Sequence, residues 1–128
     1  MVMDVGTEWL IDAQGCDAEK LRSVEALSAL LQQVIADLRL NVVGAPHWHQ
    51  FPGAGGVTGM ILLSESHLTC HTFPEFGTAT LNLYCCRSRA QWPWAEQLRL
   101  KLGATDVHVR MLERSGAGAP AHSGGGAE

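Results

Sequence analysis

Long hydrophobic runs are missing from this chain. No stretch approaches the roughly 20 apolar residues that a bilayer-spanning helix needs, which argues against a helical membrane protein. No basic run stands out either, and the formal net charge of −4 makes nucleic acid an unexpected partner. A mildly acidic surface suits a cationic substrate instead. The N-terminus lacks a basic region followed by an apolar one, so no signal peptide is read and a cytoplasmic location is expected. Cysteines are few, at positions 16, 70, 85 and 86, and without a secretion signal they read as free thiols. Cys85 and Cys86 are adjacent and would point to opposite faces of a strand, making them poor partners for each other or for one metal.

What is present fits one modest core: 128 residues, of which 46% are hydrophobic. Trp9 to Ala13 reads as a first strand. From Asp17 the period changes, and Leu21, Val24, Leu27, Leu31, Val34 and Leu38 mark one face of an amphipathic helix that Asp17 can cap. Extended character returns over Asn41 to Phe51, followed by a Pro/Gly loop. Val57 to Leu63 is a continuous apolar strand expected to be buried, and Ser64 to Phe76 reads as less regular. Thr78 to Cys86 alternates cleanly, with Leu81, Leu83 and Cys85 on one face. Pro93 opens a second helix with Trp94, Leu98 and Leu102 inward and Gly103 as its stop, and Val107 to Leu112 makes a last strand.

This order predicts an α+β fold: a two-layer α/β sandwich with an antiparallel sheet and two helices on one face. The opposite face then needs cover, and a homodimer whose sheets face each other supplies it. Residues 1–114 are expected to form a single domain, and residues 115–128, rich in Gly, Ala, Ser and Pro, a disordered tail.

The chemistry concentrates in Glu65-Ser66-His67-Leu68-Thr69-Cys70-His71-Thr72-Phe73-Pro74-Glu75, which packs a hydroxyl, two imidazoles, a thiol and two carboxylates just after a strand. One reading is a hydrolytic nucleophile, Ser66 or Cys70 activated by His71, although no G-x-S-x-G elbow surrounds Ser66. Another is a metal site drawn from His47, His49, His67 and His71, with His47 and His49 sharing a strand face but no third ligand at diagnostic spacing.

A third reading comes from similarity. The string Leu63-Ser64-Glu65-Ser66-His67-Leu68, followed by His71-Thr72-Phe73-Pro74-Glu75, closely resembles the prokaryotic S-adenosylmethionine decarboxylase proenzymes. Val57-Thr58-Gly59, Leu83-Tyr84-Cys85-Cys86 and Gly15-Cys16-Asp17 extend the match, as do Leu102-Gly103-Ala104 and Val107-His108-Val109-Arg110, over roughly residues 6–113.

The resemblance implies self-cleavage between Glu65 and Ser66 into residues 1–65 and 66–128, with Ser66 becoming a pyruvoyl cofactor that serves as electron sink for decarboxylation. Thr58 would support the cleavage as an oxyanion donor, His71 would remove the Ser66 Cα proton, and Cys86 would be the proton donor in turnover. Phe51 and Phe73 would flank an adenine ring and Glu75 would bind the ribose; no metal is implied. The chain departs from the family pattern at Phe73, commonly Trp, and in a loop after Phe51 that is one residue longer. It departs also at Phe76 and Thr78 (often Tyr), Asn82 (often Asp), Glu8 (commonly His) and Ala13 (commonly Phe). Some relatives decarboxylate ornithine or arginine, for which Glu8, Asp12 or Glu75 would hold the distal cation. A non-processing binding protein on the same fold is the remaining alternative. Ser66 and His71 are five residues apart, so a turn or bulge is expected between them if they are to meet.

Overall fold

A computed structural model describes residues 4–86 and 91–116. The elements run β1 (Asp4–Gln14), α1 (Ala18–Leu21), α2 (Val24–Leu38), β2 (His47–Gln50), β3 (Val57–Leu63), β4 (Ser66–Phe73), a 3-10 turn (Pro74–Phe76), β5 (Thr78–Cys85), α3 (Trp94–Leu102) and β6 (Asp106–Ser115). All strand pairs are antiparallel in one six-stranded sheet of order β2-β3-β4-β5-β1-β6. The expected α+β class is the one observed.

One face of that sheet carries the core. Alternation sends Trp9, Ile11 and Ala13 of β1, Leu68 and Cys70 of β4, and Ala79, Leu81, Leu83 and Cys85 of β5 inward. They join Leu27, Leu30, Leu31 and Val34 of α2 and Trp94, Leu98 and Leu102 of α3 in a single buried cluster. Fully burying one such aliphatic side chain contributes about 1.5–3 kcal/mol, so this seam holds the sandwich together. Gly103, at φ 72, ends α3 as its sequence position predicts, because a left-handed residue there costs glycine nothing.

Several expectations need correction. The single helix from Asp17 to Leu38 is two, because Ser23 has an extended backbone and accepts a bond from the Ala26 N–H at 3.0 Å, starting a second helix. Asp17 does cap the first, accepting from the Glu19 N–H at 3.1 Å. Within Asn41–Phe51 only His47–Gln50 is a named strand, with an isolated bridge from Val42 to Leu63. Strand β3 is buried on one face only: Met60 and Leu62 are 52% and 55% exposed on the other. The segment after it is a regular strand and a 3-10 turn, since Leu68, Cys70 and Thr72 alternate inward between polar neighbours. β6 continues to Ser115, and residues 117–128 of the expected tail lie outside the described residues.

Candidate active site

Strands β3 and β4 are joined by Ser64 and Glu65 alone, with Leu63 and Ser66 paired across the turn. On its other side Ser66 pairs with Cys85, which brings the following residue, Cys86, to the hairpin tip. There the Glu65 carbonyl oxygen accepts from the Cys86 N–H at 3.3 Å and is contacted by the Cys86 thiol as well. The Glu65–Ser66 peptide is therefore already polarised at the oxygen that would carry negative charge if Ser66 Oγ attacked its carbon. Sequence reasoning assigned Cys86 to turnover but missed this contact, which exists only through the β4–β5 register.

A second group forms at the far end of β4. Thr58 and His71 are cross-strand partners, and Thr58 Oγ1 lies 3.1 Å from His71 Nδ1. They line a cavity of about 390 Å³ together with Phe51, Phe73 and Glu75. Loop residues Pro52, Ala54 and Gly56 close its rim. Both phenylalanines are solvent-accessible, 51% for Phe51 and 41% for Phe73, so neither is a core residue and both offer a ring face to a ligand. The His49 ring packs edge-on against Phe51, centroids 4.5 Å apart. Phe51, Phe73, Glu75, Thr58 and His71, which the family resemblance singled out, thus come together.

Ser66 and His71 do not come together within the chain. No bulge interrupts β4, whose register with β3 and β5 runs unbroken from Ser66 to His71. Five strand residues span about 16 Å and end on opposite faces. The turn expected between them is absent because the inward alternation of Leu68, Cys70 and Thr72 keeps the strand straight.

Between the two groups lies a polar chain across the open face. Arg114 donates to Glu8 Oε1 at 2.9 Å, Asn82 Nδ2 donates to Glu8 Oε2 at 2.8 Å, and Asn82 Oδ1 meets His67 Nε2 at 2.8 Å. Because a carboxylate only accepts, the Asn82 amide must turn its nitrogen to Glu8 and its oxygen to His67, so Nε2 of His67 carries a proton. The departures at positions 8 and 82 are in direct contact. Asp12 is paired with Arg110 at 3.2 Å. Of the three acids considered for a distal substrate cation, Glu8 and Asp12 are engaged by arginines, and Glu75 alone lines the cavity.

The rival readings lose their geometry. Burial pushes the Cys70 thiol up to about 11, with a smaller opposing effect from the Gly59 backbone, so Cys70 is an inert thiol rather than a nucleophile. Cys16 is likewise raised by burial. His67 is bound to Asn82 and His71 to Thr58, and among the described residues no three His, Cys, Asp or Glu side chains are grouped to hold a metal. Nor is any helix among them long and apolar enough to cross a membrane.

Residues 7–115 match the family model for S-adenosylmethionine decarboxylase. The chain is similar to the S-adenosylmethionine decarboxylase proenzyme of Picrophilus torridus, 35% identical over 115 residues that cover 89% of this chain and 87% of that protein. It resembles the proenzyme of Thermotoga petrophila at 33% identity over 111 residues, 86% of this chain and 84% of the relative. Among solved structures, the crystal structure of the adenosylmethionine decarboxylase of Aquifex aeolicus superposes with a TM-score of 0.75 at 27% identity, covering 94% of this chain and 99% of that one.

Proposed function

The chain belongs to the S-adenosylmethionine decarboxylase family, and from that premise we propose that it cuts its own backbone between Glu65 and Ser66 and then decarboxylates S-adenosylmethionine, supplying an aminopropyl donor for spermidine synthesis in the cytoplasm. The observation that carries the first half is the Glu65 carbonyl, held at a two-residue turn by the Cys86 N–H and thiol. Ser66 Oγ attacks the Glu65 carbonyl carbon, the C–N bond breaks, and the amide becomes an ester with a free Ser66 amine. Loss of the Ser66 Cα proton expels the Glu65 carboxylate, and water then replaces the nitrogen as ammonia, leaving a pyruvoyl group at the head of residues 66–128.

His71 is the base for the Cα proton in this reading, acting from the second protomer of a homodimer, and the straightness of β4 supports that arrangement. The open sheet face carries exposed Met60, Leu62 and Phe73, apolar area that a partner sheet would cover. Two such faces stacked about a two-fold axis perpendicular to β4 would run their β4 strands in opposite directions. The His71 end of one then overlies the Ser66 end of the other, and the scissile group, being backbone at a hairpin tip, is open to approach. Thr58 travels with His71, fixing its ring through Nδ1, and arrives at the same bond.

The pyruvoyl ketone would supply an electron sink for the pair left on the α-carbon of a bound amino acid as its carboxylate departs as carbon dioxide. The chain's own residues do the rest. Phe51 and Phe73 give two ring faces for a flat base or a sulfonium, Glu75 accepts from hydroxyls, and the Cys86 thiol is placed at the cleaved bond to return a proton.

Intact mass under denaturing, reducing conditions tests the cleavage, with two fragments split at Glu65–Ser66 expected and a single chain overturning it. Offering S-adenosylmethionine, ornithine and arginine together tests the substrate. Decarboxylated S-adenosylmethionine is the expected product, and putrescine or agmatine alone would reject it.

A further inference from the structure

The loop that carries Phe51, residues 51–56, has three glycines and a proline, a composition that is costly to order. Its neck is closed by the Phe51 N–H bonding the Gly56 carbonyl at 2.8 Å. Besides the His49 ring against Phe51, further contacts come from the corner between α1 and α2, where a helix end leaves carbonyl groups without intrahelical partners. The Leu21 carbonyl accepts from the buried Thr72 hydroxyl at 2.7 Å. Gln50 Nε2 donates to the Arg22 carbonyl at 2.6 Å and to the Gly55 carbonyl at 3.1 Å. The Arg22 side chain crosses the other way, its Nε donating to the Ala54 carbonyl at 2.8 Å while Glu19 holds its Nη1 at 2.7 Å. Gly55 also packs on the Arg22 stem, so closely that a Cβ there would lie 3.2 Å from Arg22 Cγ.

We propose that Arg22 and Gln50 are positioning residues for substrate affinity: they clamp the 51–56 loop from both sides so that Phe51 stands ready for the adenosyl group. The inference rests on the substrate reading above and deepens it. A ring that stacks on an unclamped Phe51 must order the loop as it binds, and the clamp removes that cost beforehand. The side-chain bonds of Arg22 and Gln50 go to Glu19, Ala54, Gly55 and the Arg22 carbonyl, not to Glu65, Ser66 or Cys86, nor to Thr58 or His71, which share the cavity with the loop. Loss of the clamp is therefore expected to weaken affinity while self-cleavage persists, which a general loss of stability would not allow.

The test compares wild type with Arg22→Ala, Gln50→Ala, the double variant and Arg22→Lys, which keeps a cationic donor. Four quantities are read: cleaved fraction by mass, kcat and KM for S-adenosylmethionine, calorimetric Kd for methylthioadenosine as an adenosyl probe, and hydrogen exchange of residues 51–56. In the double variant cleavage completes, exchange quickens in the loop alone, and KM and Kd rise about tenfold. Its kcat stays within about twofold, and Arg22→Lys recovers part of the affinity. An unchanged Kd in the double variant overturns the inference, as does a loss of cleavage in step with affinity. Wild type that cleaves but ignores S-adenosylmethionine sinks the substrate reading by itself, and the probe Kd across the variants still decides the clamp.

Discussion

The Cys86 N–H and thiol both reach the carbonyl oxygen of Glu65, although the two residues are separated by the whole of β4 and β5. Under the proposed self-cleavage, one cysteine would address the bond to be cut beforehand and stand beside the new chain start afterwards. Cys86→Ala removes the thiol and keeps the N–H. Cleavage is expected to slow about tenfold yet finish, while decarboxylation falls about a hundredfold or more. A gel time course and carbon dioxide release measure the two, and full turnover in this variant would remove Cys86 as the proton donor.

Assignment of His71 to the partner protomer has a direct check. Ser66→Ala and His71→Ala chains, each uncleaved alone, are co-expressed with different tags. In the mixed dimer the His71→Ala chain keeps its own Ser66 and meets an intact His71 from its companion, so that chain alone should be cut. If it stays whole in purified mixed dimers, the base acts within one chain and β4 must rearrange.

Thr58 is expected to act through His71 Nδ1, 3.1 Å from its hydroxyl. Thr58→Val keeps the shape and removes that hydrogen bond, and should lengthen the cleavage half-time about 10-fold or more. Thr58→Ser should cleave close to the wild-type rate. Equal rates for Val and Thr would take the hydroxyl out of the mechanism.

Burial of the Cys70 thiol links stability to alkaline pH. Its folded value, raised from 9.0 to about 11, lies above that of the exposed thiol in the unfolded chain. Below the unfolded value both states keep the proton and the group adds no pH dependence. Between the two values only the unfolded chain loses it, so stability falls as pH rises. Urea unfolding at about pH 8 and about pH 10.5 should show wild type losing about 2 kcal/mol more than Cys70→Ala. Parallel losses in the two proteins would refute the linkage.

The legible parts of the fold were those where one period dominates. Leu81, Leu83 and Cys85 alternate with polar residues, and β5 is where the sequence places it. The helix break at Ser23 was hidden because Leu21, Val24 and Leu27 keep helical spacing across it. Strand β4 was masked by its outward row of His67, Thr69 and His71, which reads as a polar loop until Leu68, Cys70 and Thr72 are seen to share the core. Met60 and Leu62 misled in the opposite sense, since their side chains on the open face are as apolar as those in the core. The proposed site residues come from the motif, but their division into two groups about 16 Å apart follows from strand register, which no local spacing encodes. The same register explains why Glu65 and Cys86 meet.

The strand order β2-β3-β4-β5-β1-β6 has a consequence for the protein's later life. Cutting at Glu65–Ser66 gives β1, β2 and β3 to one piece and β4, β5 and β6 to the other, and β1 remains threaded between β5 and β6. Neither piece holds a self-contained core, so the interlaced pair must be assembled from a continuous chain. If the proposed cut is made, unfolding would turn a first-order refolding into a second-order search between two incomplete fragments, in competition with aggregation. An uncut Ser66→Ala precursor carries its folding instructions in one thread. A processed enzyme would have discarded that thread and would persist only as long as its first folding lasts.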